Sequence, residues 1–176
     1  PRDNFPPISL CWLCLWVLNV PAPGPGGMAP SHPIDWGRPM NLPFDAKKLD
    51  ALMEKEGVDL LLACSKDNVA YLLGGYRFFF FHHKDAIGVS RYLPLLGYAR
   101  GAADKAFYLG NSMEAWQQEW EPLWVPEASN CQWHSEKAAR EAGQRIRKLG
   151  LGKGTIALEK GFMPADAYAA LQEELP

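Results

Sequence analysis

Between Gly57 and Ser65 the chain reads Val58-Asp59-Leu60-Leu61-Leu62-Ala63-Cys64, a near-continuous apolar run. A strand with one face in water alternates apolar and polar side chains. A strand that does not alternate must be covered on both faces. The run therefore demands a layer on each side of a sheet, and the flanking sequence supplies helices. Upstream, Asp45 stands where an N-cap belongs, and Leu49, Leu52 and Met53 share one helical face. Gly57 falls where a left-handed residue closes that helix. Downstream, Ser65 caps a second short helix that carries Val69, Leu72 and Leu73 and stops at Gly74-Gly75.

Strand-rich sequence follows. Tyr76 to Phe81, Ala86 to Ser90, Leu93 to Arg100 and Lys105 to Leu109 are short aromatic or β-branched runs, and Gly101-Ala102-Ala103-Asp104 predicts a hairpin loop between the last two. Met113 to Glu121 reads as a helix with Trp116 and Trp120 on one face, and Trp124-Val125 as another short strand. Ser135 caps a helix to Leu149 with Ala138, Ala139, Ala142 and Ile146 on its apolar face. Thr155 to Leu158 is a strand, and Pro164 opens a last helix. The order α-β-α-β-β-β-α-β-α-β-α is that of an α/β fold, a mixed sheet with helices on both faces.

At 176 residues and a net charge of −2, one domain is the natural size, and no long basic stretch points to nucleic acid or an acidic membrane. The first 40 residues do not read as part of the domain. Ile8 to Val20 is apolar but shorter than the roughly 20 residues that span a bilayer, and a Pro/Gly cluster follows it. Three readings stay open for residues 1–40: a disordered or non-native leader, a degenerate signal segment, or a structured extension. The domain proper is 41–176. The chain is expected to be cytoplasmic, or secreted if residues 8–20 are a genuine signal core. Cys11 and Cys14 form a CxxC within the apolar run, without the second ligand pair of a zinc site or the strand-to-helix setting of a redox motif. Cys64 reads as a buried thiol.

Three segments carry a family resemblance. Lys48-Leu49-Asp50-Ala51-Leu52 with Gly57-Val58-Asp59-Leu60-Leu61-Leu62 is the first; Asn68, Tyr71, Leu72 and Gly74 form the second; Ile156-Ala157-Leu158-Glu159, Met163-Pro164, Tyr168, Leu171 and Leu175-Pro176 form the third. In order and spacing they resemble the N-terminal domain of the creatinase, prolidase and aminopeptidase P family, with Leu73 where the family has threonine. The resemblance implies a ribonuclease-H-like α/β domain that is itself non-catalytic. It also implies a following pita-bread domain of the same polypeptide, holding two divalent metal ions (Mn, Co or Zn, none in creatinase itself) on two aspartates, a histidine and two glutamates. That set is missing here, and the chain stops about where that domain would begin. The expected role is dimerisation and restriction of substrate access in a Xaa-Pro peptidase-like protein, with a homodimer expected for the full-length protein. The alternatives are a stand-alone binding module of the same fold, or a gene fragment without activity.

The resemblance also directs attention to Tyr76-Arg77-Phe78-Phe79-Phe80-Phe81-His82-His83-Lys84-Asp85, because the matching segment in relatives often reaches toward an active site, commonly the partner subunit's. Arg77, His82, His83 and Arg91 are the candidate substrate contacts, with arginine suited to a carboxylate through its planar fork. Phe79 or Phe81 would wall an apolar pocket. The competing reading is a buried aromatic strand with a polar end. Adjacent histidines on a strand point to opposite faces, which argues against a metal site at His82-His83. Trp116, Trp120, Trp124 and Trp133 form an aromatic-rich set read as core or inter-domain packing.

Overall fold

A computed structural model describes residues 41–78, 92–131 and 134–175. In chain order the elements are α1 (Ala46–Lys55), β1 (Leu60–Ala63), α2 (Lys66–Leu72), β2 (Leu95–Ala99), β3 (Ala102–Asn111), a 3-10 turn (Ser112–Glu114), α3 (Ala115–Trp120), β4 (Glu127–Cys131), α4 (Ser135–Lys148), β5 (Ile156–Leu158) and α5 (Ala165–Glu174). The five strands lie in the order β4-β3-β2-β1-β5. β1 pairs antiparallel with β2 and parallel with β5; β2 pairs antiparallel with β3, and β3 parallel with β4. The sheet is mixed, as expected.

The unbroken run of β1 is explained by its neighbours. Leu61 and Ala63 face a core built from Leu49 and Met53 of α1 and Val69, Ala70 and Leu72 of α2. Leu60 and Leu62 face the opposite core, built from Ala138, Ala139, Ala142 and Ile146 of α4 and Ala167, Ala170 and Leu171 of α5. Both faces are thus dry, which is what the lack of alternation required. The alanines let α4 lie close to its neighbours, and Gly143 brings it closer still: a Cβ there would come within 2.5 Å of the Glu174 Cβ. Each buried Leu or Ile in these cores contributes on the order of 1.5–3 kcal/mol by leaving water. The expected caps of α1 and α2 are present. Asp45 accepts from the Lys48 N–H at 3.0 Å, and Ser65 from the Asn68 N–H at 3.3 Å. Gly57 closes α1 at φ +66°.

Other expectations are corrected. Tyr76 to Phe78 is irregular backbone, not strand, because both aromatics turn inward to side-chain partners described below; the rest of that run, and Ala86 to Ser90, lie outside the described residues. The β2–β3 turn is tighter than read, since Ala99 pairs directly with Ala102 and Ala102-Ala103-Asp104 belongs to β3. Trp124-Val125 precedes the strand instead of forming it. The Trp124 indole N–H donates to the Leu72 carbonyl at 2.7 Å, and Val125 is buried in the core that α2 also joins, so both are spent on the core. Ser135 is the first residue of α4, not its cap; its hydroxyl donates to Asp166 at 2.9 Å and ties α4 to α5. Pro164 is one residue earlier than read, at the N-cap of α5.

Candidate functional site

Two buried carboxylates organise the loops at the ends of the strands. The first is Glu159, just past β5. Because β1 and β5 are parallel neighbours, the residues that follow them emerge side by side. Glu159 accepts from the Cys64 N–H at 2.6 Å, the Ser65 N–H at 2.8 Å, the Ser65 hydroxyl at 2.6 Å and the Asn68 side-chain amide. It therefore satisfies donors at the start of α2, where the helix dipole favours an anion. In the sequence Glu159 stands out only as the last residue of the Ile156-Ala157-Leu158-Glu159 segment. The structure makes it the buried joint between the second and third family segments, through Asn68.

The second is Glu114, which is fully buried. It accepts from the hydroxyls of Tyr76 at 2.9 Å, Tyr92 at 2.9 Å and Tyr108 at 2.8 Å, and from the Asn111 N–H at 2.6 Å. The Asn111 side chain accepts in return from the Glu114 N–H, which makes a capping box at the head of the 3-10 turn, and also from the Met113 N–H at 2.9 Å. Burial pushes the Glu114 pKa up, while the Asn111 N–H and the three hydroxyls pull it down; burial dominates. The tyrosines are pushed well above the ordinary range, first by burial and then, for Tyr76 and Tyr92, by the Glu114 charge. They remain hydroxyl donors at any ordinary pH.

Tyr76 and Tyr92 flank residues 77–91, the stretch that holds all four candidate contacts, so Glu114 anchors the chain on both sides of it. Arg77 is exposed, and its backbone is fixed. Tyr76 before it and Phe78 after it are buried, Phe78 stands edge-on to Tyr92 with ring centroids 6.1 Å apart, and the Arg77 carbonyl accepts from the Gln117 side-chain amide at 3.3 Å. A guanidinium is thus held outward on an anchored backbone, an arrangement able to meet an anion from solvent. His82, His83, Arg91, Phe79 and Phe81 lie outside the described residues.

Sequence reasoning missed the Glu114 hub. The available signal was Asn111-Ser112-Met113-Glu114, which has the spacing of a capping box. Nothing local marked the three tyrosines as its partners. The described residues do not fit a metal site: they contain no group of three or more His, Cys, Asp or Glu able to hold an ion. Glu114 and Glu159 are each already committed to N–H and O–H donors. No helix among the described residues is long and apolar enough to cross a membrane.

Fold and site together define an α/β domain whose buried carboxylates position loops. The creatinase/prolidase N-terminal domain family matches residues 46–176, and the chain belongs to that family. Among solved structures, a dipeptidase from Pyrococcus horikoshii is similar with a TM-score of 0.52 and 22% identity, over 73% of this chain and 31% of that one. The N-terminal domain of the cytoplasmic peptidase PepQ from Mycobacterium tuberculosis is similar at 21% identity and a TM-score of 0.48, over 74% of this chain and 83% of that one. The chain thus spans under a third of the Pyrococcus protein's length. No curated protein sequence matches.

Proposed function

We propose that this chain acts as the non-catalytic N-terminal domain of a Xaa-Pro aminopeptidase- or prolidase-like metallopeptidase, and that it contributes to dimerisation and to substrate access. In this reading, metal-dependent hydrolysis belongs to a following domain of the same polypeptide, with two divalent ions as its cofactor. The role of this domain is to present Arg77 to the carboxylate end of a peptide. The observation that supports it is the exposed Arg77 on a backbone pinned by Tyr76 and Phe78, in a chain of this family. A paired guanidinium–carboxylate contact is short, charge-assisted and selective for a free peptide terminus.

The first test is the intact mass of the native polypeptide with peptide mapping past Pro176. Downstream peptides carrying two aspartates, a histidine and two glutamates are expected; a native product that ends at Pro176 overturns the reading. In the native polypeptide, Arg77→Ala should then raise KM roughly tenfold or more for a peptide with a free carboxyl terminus, with kcat little changed. It should leave the corresponding peptide amide unaffected. Equal effects on both peptides would remove Arg77 from the role.

A further inference from the structure

Helix α3 gives the domain almost no apolar surface. None of its residues is buried, and Trp116 and Trp120 stand outward at 61% and 77% exposure. What it turns inward is amide. Gln118 and Asn130 of β4 exchange side-chain hydrogen bonds, Gln118 Nε2 to Asn130 Oδ1 at 3.3 Å and Asn130 Nδ2 to Gln118 Oε1 at 3.5 Å, which fastens the helix to the edge of the sheet. Gln117 does something different. Its Nε2 donates both to the Arg77 carbonyl at 3.3 Å and to Glu121 Oε2 at 2.9 Å. An amide nitrogen carries two hydrogens, so this group is fully used. The helix fixes the Glu121 end of the contact, since the Glu121 N–H donates to the Gln117 carbonyl at 2.8 Å.

We propose that Gln117 is the positioning residue for Arg77: it pins the Arg77 backbone and holds the Glu121 carboxylate away from the guanidinium, so that the arginine stays open to an incoming carboxylate. The inference rests on the accessory-domain reading above and names what controls its anion contact. Three observations carry it. The two acceptors share one nitrogen, which places Glu121 within reach of the long, exposed Arg77 side chain. The Glu121 charge is also felt at the Tyr76 hydroxyl, one residue before Arg77. Yet among the described residues Arg77 makes no ion pair, and the Glu121 oxygen is taken by the amide. An exposed guanidinium with a carboxylate in reach ordinarily pairs with it at little gain, and a ligand carboxylate then has to displace that partner. A neutral amide between the two prevents this. It satisfies Glu121 through a charge-assisted bond without bringing a second positive charge to the site.

The test uses the whole 176-residue chain and two probes of Arg77. Phenylglyoxal reports whether the guanidinium is open, and trypsin whether the backbone after Arg77 is pinned. Gln117→Leu should slow phenylglyoxal modification of Arg77 about two- to fivefold, because Glu121 then pairs with it. It should speed tryptic cleavage after Arg77 about threefold or more, because the carbonyl loses its donor. A role confined to stability would move both rates upward together. Adding Glu121→Gln to Gln117→Leu should restore the modification rate and leave cleavage fast. Modification that is unchanged or faster in Gln117→Leu overturns the proposal. Glu121→Gln alone, at an exposed position, decides the matter even if Gln117→Leu fails to fold. Arg77 modification should then stay within about twofold of wild type; a larger rise would show that Glu121 already masks the guanidinium, and would overturn the proposal. If Arg77→Ala separates a free-acid peptide from its amide in the native polypeptide, Gln117→Leu should do so too. It should raise KM for the acid about two- to fivefold with kcat little changed, and an equal effect on the amide counts against it. The accessory-domain reading is judged separately, by peptides past Pro176 and by the Arg77→Ala kinetics, on which neither probe of Arg77 depends.

Discussion

Glu159 and Glu114 are both buried carboxylates with four hydrogen-bond donors each, yet they do different work. Glu159 binds mostly the start of one helix: two backbone N–H groups, a cap hydroxyl and an amide one turn on. Its partners are held by the regular structure of β1 and α2, so it stabilises the centre of the fold. Glu114 binds mostly side chains from separate places: Tyr108 on β3, Tyr76 after α2 and Tyr92 before β2. Its partners include both flanks of the stretch that bears Arg77. Losing Glu159 should therefore be felt by the whole domain, and losing Glu114 by the Arg77 region first.

The largest expected effect is that of Glu159→Ala. It strands buried donors at the head of α2, each worth about 1–3 kcal/mol, so a loss of roughly 3 kcal/mol or more is expected in urea unfolding. A loss under about 1 kcal/mol would show that water can replace the carboxylate and that the two hubs are not distinct in kind. Next in size is Gly110→Ala, which attacks the second hub without touching its chemistry. A Cβ at Gly110 would stand 2.7 Å from a Glu114 oxygen. Crowding of that kind costs about 1–3 kcal/mol, and faster tryptic cleavage after Arg77 should accompany it if Glu114 anchors that region.

The smallest effect is a pH dependence carried by Glu114. Its folded pKa lies above its ordinary value of 4.5 because burial penalises the charge. The folded state therefore holds the proton more tightly than the unfolded chain. The stability this adds is fully present below 4.5 and is lost as pH rises from there through the raised folded value. Wild type should thus gain stability relative to Glu114→Gln as pH is lowered toward 4.5. Denaturant midpoints of the two proteins across that range check the sign; a difference that grows with rising pH would mean that the four donors outweigh burial. Glu159→Gln serves as the comparison from the other hub.

The Glu159 hub was nearly legible in the sequence. Ser65, Asn68 and Glu159 all sat in or beside the family segments, and only their meeting was unseen. They meet because two parallel strands end together, a fact of pairing that no local spacing encodes. The Glu114 hub was legible in one part only. The capping box is a four-residue pattern, whereas Tyr76, Tyr92 and Tyr108 lie up to 38 positions from Glu114; Tyr76 and Tyr108 read as strand aromatics, and Tyr92 falls between two runs. The run around Tyr76 was misassigned for the same reason: its aromatic content favours strand, but a buried carboxylate offered Tyr76 a better partner than a sheet ladder did. Trp116 and Trp120 were correctly placed on one helical face, and the sequence could not say that this face points outward.

By itself the sequence determined the α/β class, the two-sided burial of β1, the caps at Asp45 and Ser65 and the family, because each depends on the nature and order of nearby side chains. The tertiary structure alone decided which carboxylates are buried and what they hold, and which side of α3 meets solvent. Those outcomes depend on distant segments arriving at one point, and the preference of a carboxylate for four donors over water is realised only once the sheet has brought them there.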